Sequence, residues 1–436
     1  MKKTTVGIVT LGCKVNQYES EAIAEELVKA GFAVGDPNVP CDAYIVNTCT
    51  VTAESDRKAR QMIRRAAGEN PAAPILVTGC LAQSHPEEVA KLEGVRYICG
   101  SDNKLSVVTA LQHIFTANVW EKPEIAVNDL ADARFEPMCI TRFDRTRAYV
   151  KIEDGCENRC TYCAIPAARG KVRSKPLAEV VREVEGLVAS GCREVVLTGI
   201  ETASWGRDLD GVSLIDLLEA VDAIAGIGRV RLGSLDPSLM KESFVTRLKA
   251  LRHLAPHFHL SIQSGASPVL AAMKRKYNRA QALAGIKRLR EALPQAELTA
   301  DFIVGFPGET AQDFEDTLAF AAEAAFLQMH VFAYSPRVGT PAAAMPHQID
   351  GATKKARSAA LIDLGNRLRA ARQELALLQP HRNVLFETYE NGLAIGHTDS
   401  FLEVAIHAEH PLHGELMPVR LVGIENGRLM AEKGEL

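Results

Sequence analysis

Three cysteines fall within eight consecutive positions of the stretch DGCENRCTYCAIPAARG, residues 154–170: Cys156, Cys160 and Cys163, with three residues in the first gap and two in the second. Thiolates packed this closely are ligands for a metal centre. An iron–sulfur cubane normally takes four protein thiolates, so a loop with three leaves one iron for an outside ligand. Zinc is the alternative reading. Zinc sites pair one C-x2-C with a second pair or with histidines, and neither lies within 25 residues on either side.

Cys13, Cys49 and Cys80 form a second candidate set. Each follows an apolar run, VGIVTLG, AYIVNT and PILVTG, and each run alternates with a helical pattern such as NQYESEAIAEELVKAG or AESDRKARQMIRRAAG. Alternation of this kind predicts a parallel sheet flanked by helices. Ligands of such sheets sit beyond the carboxyl ends of the strands, so the three cysteines would meet at one edge as a shared metal site. A lone cysteine at such a place is more often a small buried residue. Cys41, Cys99, Cys139 and Cys192 are read as core residues of that ordinary kind.

The elements that must carry these residues fall into three segments. Residues 1–140 hold the first βα series and end in a charged, aperiodic stretch from residue 121 that looks like a connector. Residues 141–375 hold a second series whose β-like runs are AYVKIEDG, EVVLTGIE, RVRLGSLD, HFHLSIQSG, LTADFIVGF and MHVFAYS. That many βα units predict a complete or partial barrel with its chemistry on the loops after the strands. Residues 376–436 change to short strands with Asn391-Gly392 and Asn426-Gly427 as turn signals, which predicts a small β-barrel. The fold class is therefore α/β: a parallel-sheet domain, a partial (β/α) barrel and a small all-β barrel.

Composition narrows the setting. The chain has 436 residues, 47% of them hydrophobic and 24% charged, with a formal net charge of −4. It can build a core, and it is not a general polyanion binder. The amino-terminal apolar run breaks at Gly12-Cys13-Lys14, too early for a signal peptide, and no segment reads as a membrane span. Clustered cysteines used as ligands suit a reducing compartment, so a cytoplasmic location is expected.

CENRCTYC at the head of a βα series resembles the C-x3-C-x2-C signature of radical S-adenosylmethionine enzymes. TLGCKVNQYES, VNTCTVT, VTGCLAQ, HFHLSIQSG, DFIVGFPGET and FAYSPRVGTPA, in that order along nearly the whole chain, make it similar to the methylthiotransferases among them. The resemblance implies two 4Fe-4S clusters, one on Cys156, Cys160 and Cys163 with S-adenosylmethionine on its open iron, the other on Cys13, Cys49 and Cys80. It implies a radical attack on an unactivated C–H bond followed by sulfur insertion, and a carboxy-terminal TRAM domain. Of its branches, the Gly-Cys-Lys-Val-Asn form is similar to the one acting on C2 of N6-threonylcarbamoyladenosine (t6A) beside the tRNA anticodon. Other branches act on isopentenyladenosine or on an aspartate of a small-subunit ribosomal protein. A non-catalytic iron–sulfur protein that binds RNA or senses redox state is the reading from another class.

The resemblance also nominates cofactor contacts. Gly305, Gly308 and Glu309 resemble the loop beside the adenosyl group. Glu201 and Gln263 are strand-end polar residues for the methionine amine or the ribose, or else solvated loop residues. Tyr162 packs on the adenine or shields the cluster. For RNA, Arg169, Lys171 and Arg173, just past the cluster loop, are the first candidates. Basic groups at Arg57–Arg65, Lys274–Arg279 and Lys354–Arg357 are more often solvated helix faces. Partners implied are a tRNA anticodon loop carrying t6A, a reducing electron donor and a possible sulfur donor, with no membrane. The last segment carries nine acidic against four basic residues from position 381 onward, which ill suits phosphate binding by charge alone and fits a basic ribosomal protein.

Overall fold

The computed structural model describes residues 3–117, 122–143 and 145–434. Six parallel strands build the first sheet in the order Ala33–Gly35, Thr5–Thr10, Ala43–Thr48, Ile75–Gly79, Val95–Cys99, Glu124–Ala126. Every residue of Ala43–Thr48 and Ile75–Gly79 is buried, which is why these runs are continuously apolar or small rather than alternating. The strands that precede Cys13, Cys49 and Cys80 are neighbours, with Thr10 opposite Asn47 and Thr48 opposite Gly79.

The expected connector behaves differently from a loose linker; its positions 121 and 144 lie outside the described residues. Glu124–Ala126 adds the sixth strand to the sheet. Farther on, the Met138 carbonyl accepts from Lys175 at 2.8 Å and lies 2.7 Å from the Tyr18 hydroxyl, while the Ile140 N–H donates to Glu183 at 2.8 Å. Without side-chain periodicity these backbone bonds left no trace in the sequence. Cys139 beside them is exposed and not a core residue, whereas Cys41, Cys99 and Cys192 are buried.

The central strands run in sequence order around an open, all-parallel half-barrel. Ala148–Lys151, Glu194–Thr198 and Arg229–Leu232 pair side by side; Ser234–Leu235, His257–Gln263, Glu297–Val304 and Gln328–Ala333 continue the curve past Gly233. The 27-residue helix Gly351–Leu377 packs on the last strand. The final segment closes into a five-stranded barrel, with Asn391-Gly392 and Asn426-Gly427 all at positive φ as hairpin turns of the primed kind require.

The acidity of that barrel is partly used inside the chain. Glu387 pairs with Arg147 of the half-barrel and with His397, and Phe401 stacks on His257 at 4.4 Å between ring centroids. Among the described residues, no helix is long and apolar enough to cross a membrane.

Candidate active site

Cys13, Cys49 and Cys80 sit one to three residues beyond their strand ends, at the carboxyl edge of the first sheet. Asn16 fastens two of the three loops together. Its amide N–H groups reach the Leu11 carbonyl at 2.8 Å and the Thr48 carbonyl at 2.9 Å, and its side-chain oxygen faces the Cys13 sulfur at 3.7 Å. Gly79 must be glycine: at φ +95° a Cβ would lie 2.4 Å from the Thr48 carbonyl oxygen.

The second trio lies on the loop after Ala148–Lys151. Gly155, at φ +86°, lets that loop fold back: a Cβ there would stand 1.9 Å from the Lys171 carbonyl oxygen. The Cys156 N–H then donates to the Gly170 carbonyl at 2.9 Å, and the Cys163 N–H to the Cys160 carbonyl at 3.1 Å. Burial, reinforced by neighbouring thiols, pushes Cys49 and Cys163 up to about 11 and Cys156 up to about 12. Unmetallated, these sulfurs stay protonated at neutral pH; a metal centre must displace the protons.

Two links bring the trios together. The short helix Ile165–Arg169 follows the second loop and delivers Arg169, whose Nε donates to the Cys80 sulfur at 3.1 Å. Independently, Arg337 reaches the Cys49 loop, with Nη1 on Asp56 at 2.8 Å and Nη2 on the Thr50 hydroxyl at 2.6 Å, while the nearby Ala342 N–H donates to the Thr161 carbonyl at 2.9 Å between Cys160 and Tyr162. A cavity of about 520 Å³ lies at this junction, lined by Gln83 from the Cys80 helix and by Cys156, Asn158 and Lys171.

Beneath the trios is a buried charge cluster. Glu19 and Asp154 are surrounded by four cations, Lys104, Lys151, Arg169 and Arg173. Arg169, Lys104 and Lys151 overcome burial and hold Glu19 down at about 2; Arg169, Lys151 and Arg173 hold Asp154 lower still. The surplus of cations suits a site whose thiolates add negative charge.

These placements revise the nucleic-acid candidates. Arg169 is fully buried and Arg173 nearly so, both engaged with Asp154, so neither presents a surface cation; Lys171 is exposed. Arg275 likewise turns inward, donating to the Cys160 sulfur at 3.3 Å and to Asp236 at 2.8 Å. Arg57, Arg60 and Arg65 pair with Glu54, Glu88 and Glu69 on the surface, leaving Lys58 and Arg64 exposed. Arg357 pairs with Glu309, Lys354 lies over the Tyr334 ring and Lys355 is exposed.

On the cofactor side, Glu201 and Asn158 line a second cavity of about 340 Å³ with Asp236 and Lys276. Burial and the nearby Asp236 raise Glu201 to about 7, and Asn158 donates to it at 2.9 Å. The Asn158 side-chain oxygen is buried without a hydrogen-bond partner, an acceptor open to a bound group. Gln263 ends its strand at φ +68°, and Tyr162 packs against a buried cluster that includes Phe306 and Tyr334. Glu309 faces its own loop: its carboxylate accepts from the Gly305 N–H at 2.6 Å and from Arg357. The side of Gly305 on which a Cβ would stand is filled by Lys354, while that of Gly308 is open.

The donor sets fit clusters better than a single ion. Tetrahedral zinc–thiolate bonds of about 2.3 Å would hold sulfurs about 3.8 Å apart. Among the described residues, the trio with ligand atoms mutually within 4.8 Å is His259, Asp301 and His330, not either cysteine set.

Comparison with known proteins identifies the family. Residues 150–321 match the Radical SAM superfamily and residues 5–100 match Uncharacterized protein family UPF0004. The chain is 38% identical over 425 residues to the threonylcarbamoyladenosine tRNA methylthiotransferase MtaB of Bacillus subtilis, covering 96% of this chain and 94% of that one. It is 39% identical to the protein of the same name from Thermotoga maritima, covering 92% and 90%. The radical S-adenosylmethionine methyltransferase TsrM from Kitasatospora setae shares the fold, with a TM-score of 0.56 at 17% identity over 79% of this chain and 77% of that one. By near-full-length similarity, the chain belongs to the radical S-adenosylmethionine methylthiotransferase family.

Proposed function

We propose that this protein inserts a methylthio group at C2 of N6-threonylcarbamoyladenosine beside the tRNA anticodon. One observation carries the reaction: Arg169, delivered by the cysteine loop of the half-barrel, touches Cys80 of the other trio, so both trios serve one chamber. The substrate is supported by the names of the Bacillus and Thermotoga relatives.

The C2–H bond of adenine is neither acidic nor activated, so side-chain acids and bases have little to act on. Two 4Fe-4S clusters and S-adenosylmethionine supply the one-electron and sulfur chemistry. Cys156, Cys160 and Cys163 would hold one cluster, Cys13, Cys49 and Cys80 the other. Arg275 and Arg169 stabilise thiolate charge by donating N–H groups to Cys160 and Cys80. Glu201, raised to about 7 and hydrogen-bonded by Asn158, would accept a hydrogen bond from the cofactor's amine. Gln263 would meet the ribose and Tyr162 the adenine, with Gly305 and Gly308 alongside on a loop braced by Glu309.

Lys171, exposed at the mouth of the junction cavity, contacts RNA phosphate. Unpaired anticodon-loop bases can be drawn into a pocket as bases in an A-form helix cannot. Segments 1–140, 141–375 and 376–436 act as a cluster-binding domain, a radical domain and a TRAM-like barrel in the cytoplasm, fed by an external electron donor and a sulfur donor.

Mass spectrometry of tRNA nucleosides from cells with and without the gene tests this. Loss of the 2-methylthio derivative, with t6A accumulating, is the expected result. Its undiminished presence in cells without a second such enzyme would refute the substrate.

A further inference from the structure

The half-barrel encloses another cavity, of about 420 Å³, where Lys14, Arg147, Arg231 and Arg369 meet. Its wall includes inward-facing strand residues such as Arg231 and His257, and Phe401 of the terminal barrel stands across it. Lys14, the residue after Cys13, reaches it from the first domain, and Arg369 from the helix Gly351–Leu377.

Among the described residues, Lys14 and Arg369 have neither an ion-pair nor a hydrogen-bond partner. Arg231, 2% exposed, gives Nε to Glu194 at 2.8 Å, yet its Nη1 has no partner. Nearby carboxylates are already engaged. Glu194 is shared by Arg147, Arg229 and Arg231, Asp301 lies between His259 and His330, and Glu403 is held by Arg428. A buried guanidinium N–H left without an acceptor, as on Arg231, is costly, and the exposed Lys14 and half-buried Arg369 add two unpaired cations at the same cavity, an arrangement suited to an anion.

We infer that Lys14, Arg231 and Arg369 form an anion subsite that takes the threonyl carboxylate of the substrate nucleoside. This inference rests on the t6A reading above and assigns its specificity. Of the groups that decorate this purine, threonylcarbamoyl carries a carboxylate, whereas dimethylallyl is wholly apolar and would leave the buried Arg231 N–H without an acceptor and Lys14 and Arg369 without an ion-pair partner. A site made to meet a polar group rejects an analogue that lacks it. The place of Lys14, one residue from Cys13, puts this recognition next to the cluster edge where the base must lie.

The test uses the reconstituted holoenzyme and three anticodon stem-loops of one sequence. They carry t6A, its neutral analogue with a carboxamide in place of the threonyl carboxylate, or dimethylallyladenosine. The native protein should prefer the acid over the carboxamide by about 10-fold or more in kcat/KM. Lys14→Gln and Arg369→Gln should each erode that preference, and Lys14→Arg should restore it. Iron content checks the Cys13 site in the Lys14 variants, and Arg369 stands apart from both cysteine loops. Equal rates on acid and carboxamide would overturn the subsite while leaving the t6A reading intact. So would variants that slow all three stem-loops by one factor, which is the mark of an RNA phosphate contact. Failure of the native protein to modify the t6A stem-loop while modifying another would overturn the functional reading and the subsite together.

Discussion

Arg169 and Cys80 are 89 positions apart in the chain, and the guanidinium of one donates to the sulfur of the other at 3.1 Å. The same guanidinium reaches Glu19 at 2.6 Å and the Asn16 side-chain oxygen at 2.7 Å. One side chain thus joins a cysteine of the first sheet to the loop of the half-barrel, and replacing it should be felt in both. Arg169→Met leaves Glu19 and Asp154 buried with a cation fewer each. Removing one partner of a buried ion cluster costs about 3–5 kcal/mol. Urea unfolding of the cluster-free protein should show a loss of that order, and a change under about 1 kcal/mol would mean the cluster relaxes around the gap.

The two cysteine trios should separate by function. Cys80→Ala is expected to lower iron from about eight to about four per chain and abolish methylthiolation, while 5′-deoxyadenosine still forms. Cys160→Ala should abolish both. Iron analysis and chromatography of the nucleoside product check the pair; equal loss of 5′-deoxyadenosine in both variants would argue against separate sites.

Glu201 gives the cluster-free protein a pH dependence. Its folded value of about 7 lies above the usual carboxyl value of about 4.3. Between those limits the unfolded chain is ionised while the folded one keeps its proton. The folded state therefore binds more protons, and stability falls as pH rises through the window and levels off above it. Comparing native protein and Glu201→Gln at pH 5 and pH 8 by denaturant unfolding should show the native chain losing on the order of 2 kcal/mol more across that interval. In the loaded enzyme the same variant should weaken S-adenosylmethionine binding. Parallel stability curves for the two proteins would contradict the raised value.

Tyr18 anchors the segment between the first two domains. Its buried hydroxyl lies 2.7 Å from the Met138 carbonyl and 3.0 Å from Glu183, with Lys175 completing the group. Tyr18→Phe removes the donor and leaves a buried acceptor short of a partner, a loss of about 1–3 kcal/mol. A lowered denaturation midpoint with unchanged iron content is the expected outcome. Loss of iron instead would place Tyr18 in cluster retention rather than in docking.

The amino-acid sequence by itself determined the local chemistry and the elements that carry it. Cys156, Cys160 and Cys163 are a ligand set because their spacing puts three thiols on one loop, and Cys13, Cys49 and Cys80 stand at strand ends because buried parallel strands are written as unbroken apolar runs. Hairpin turns at Asn391-Gly392 and Asn426-Gly427 follow from local backbone preference in the same way. Partner choice among charged side chains was decided only by the tertiary structure. Arg169, Arg173 and Arg275 look like surface cations in the chain, and packing turned all three inward onto Asp154, Asp236 and cysteine sulfur. The reason is physical: a thiol loop reports itself through spacing of a few residues, whereas an ion pair such as Arg337 with Asp56 joins positions 281 apart and exists only once two domains have closed on each other.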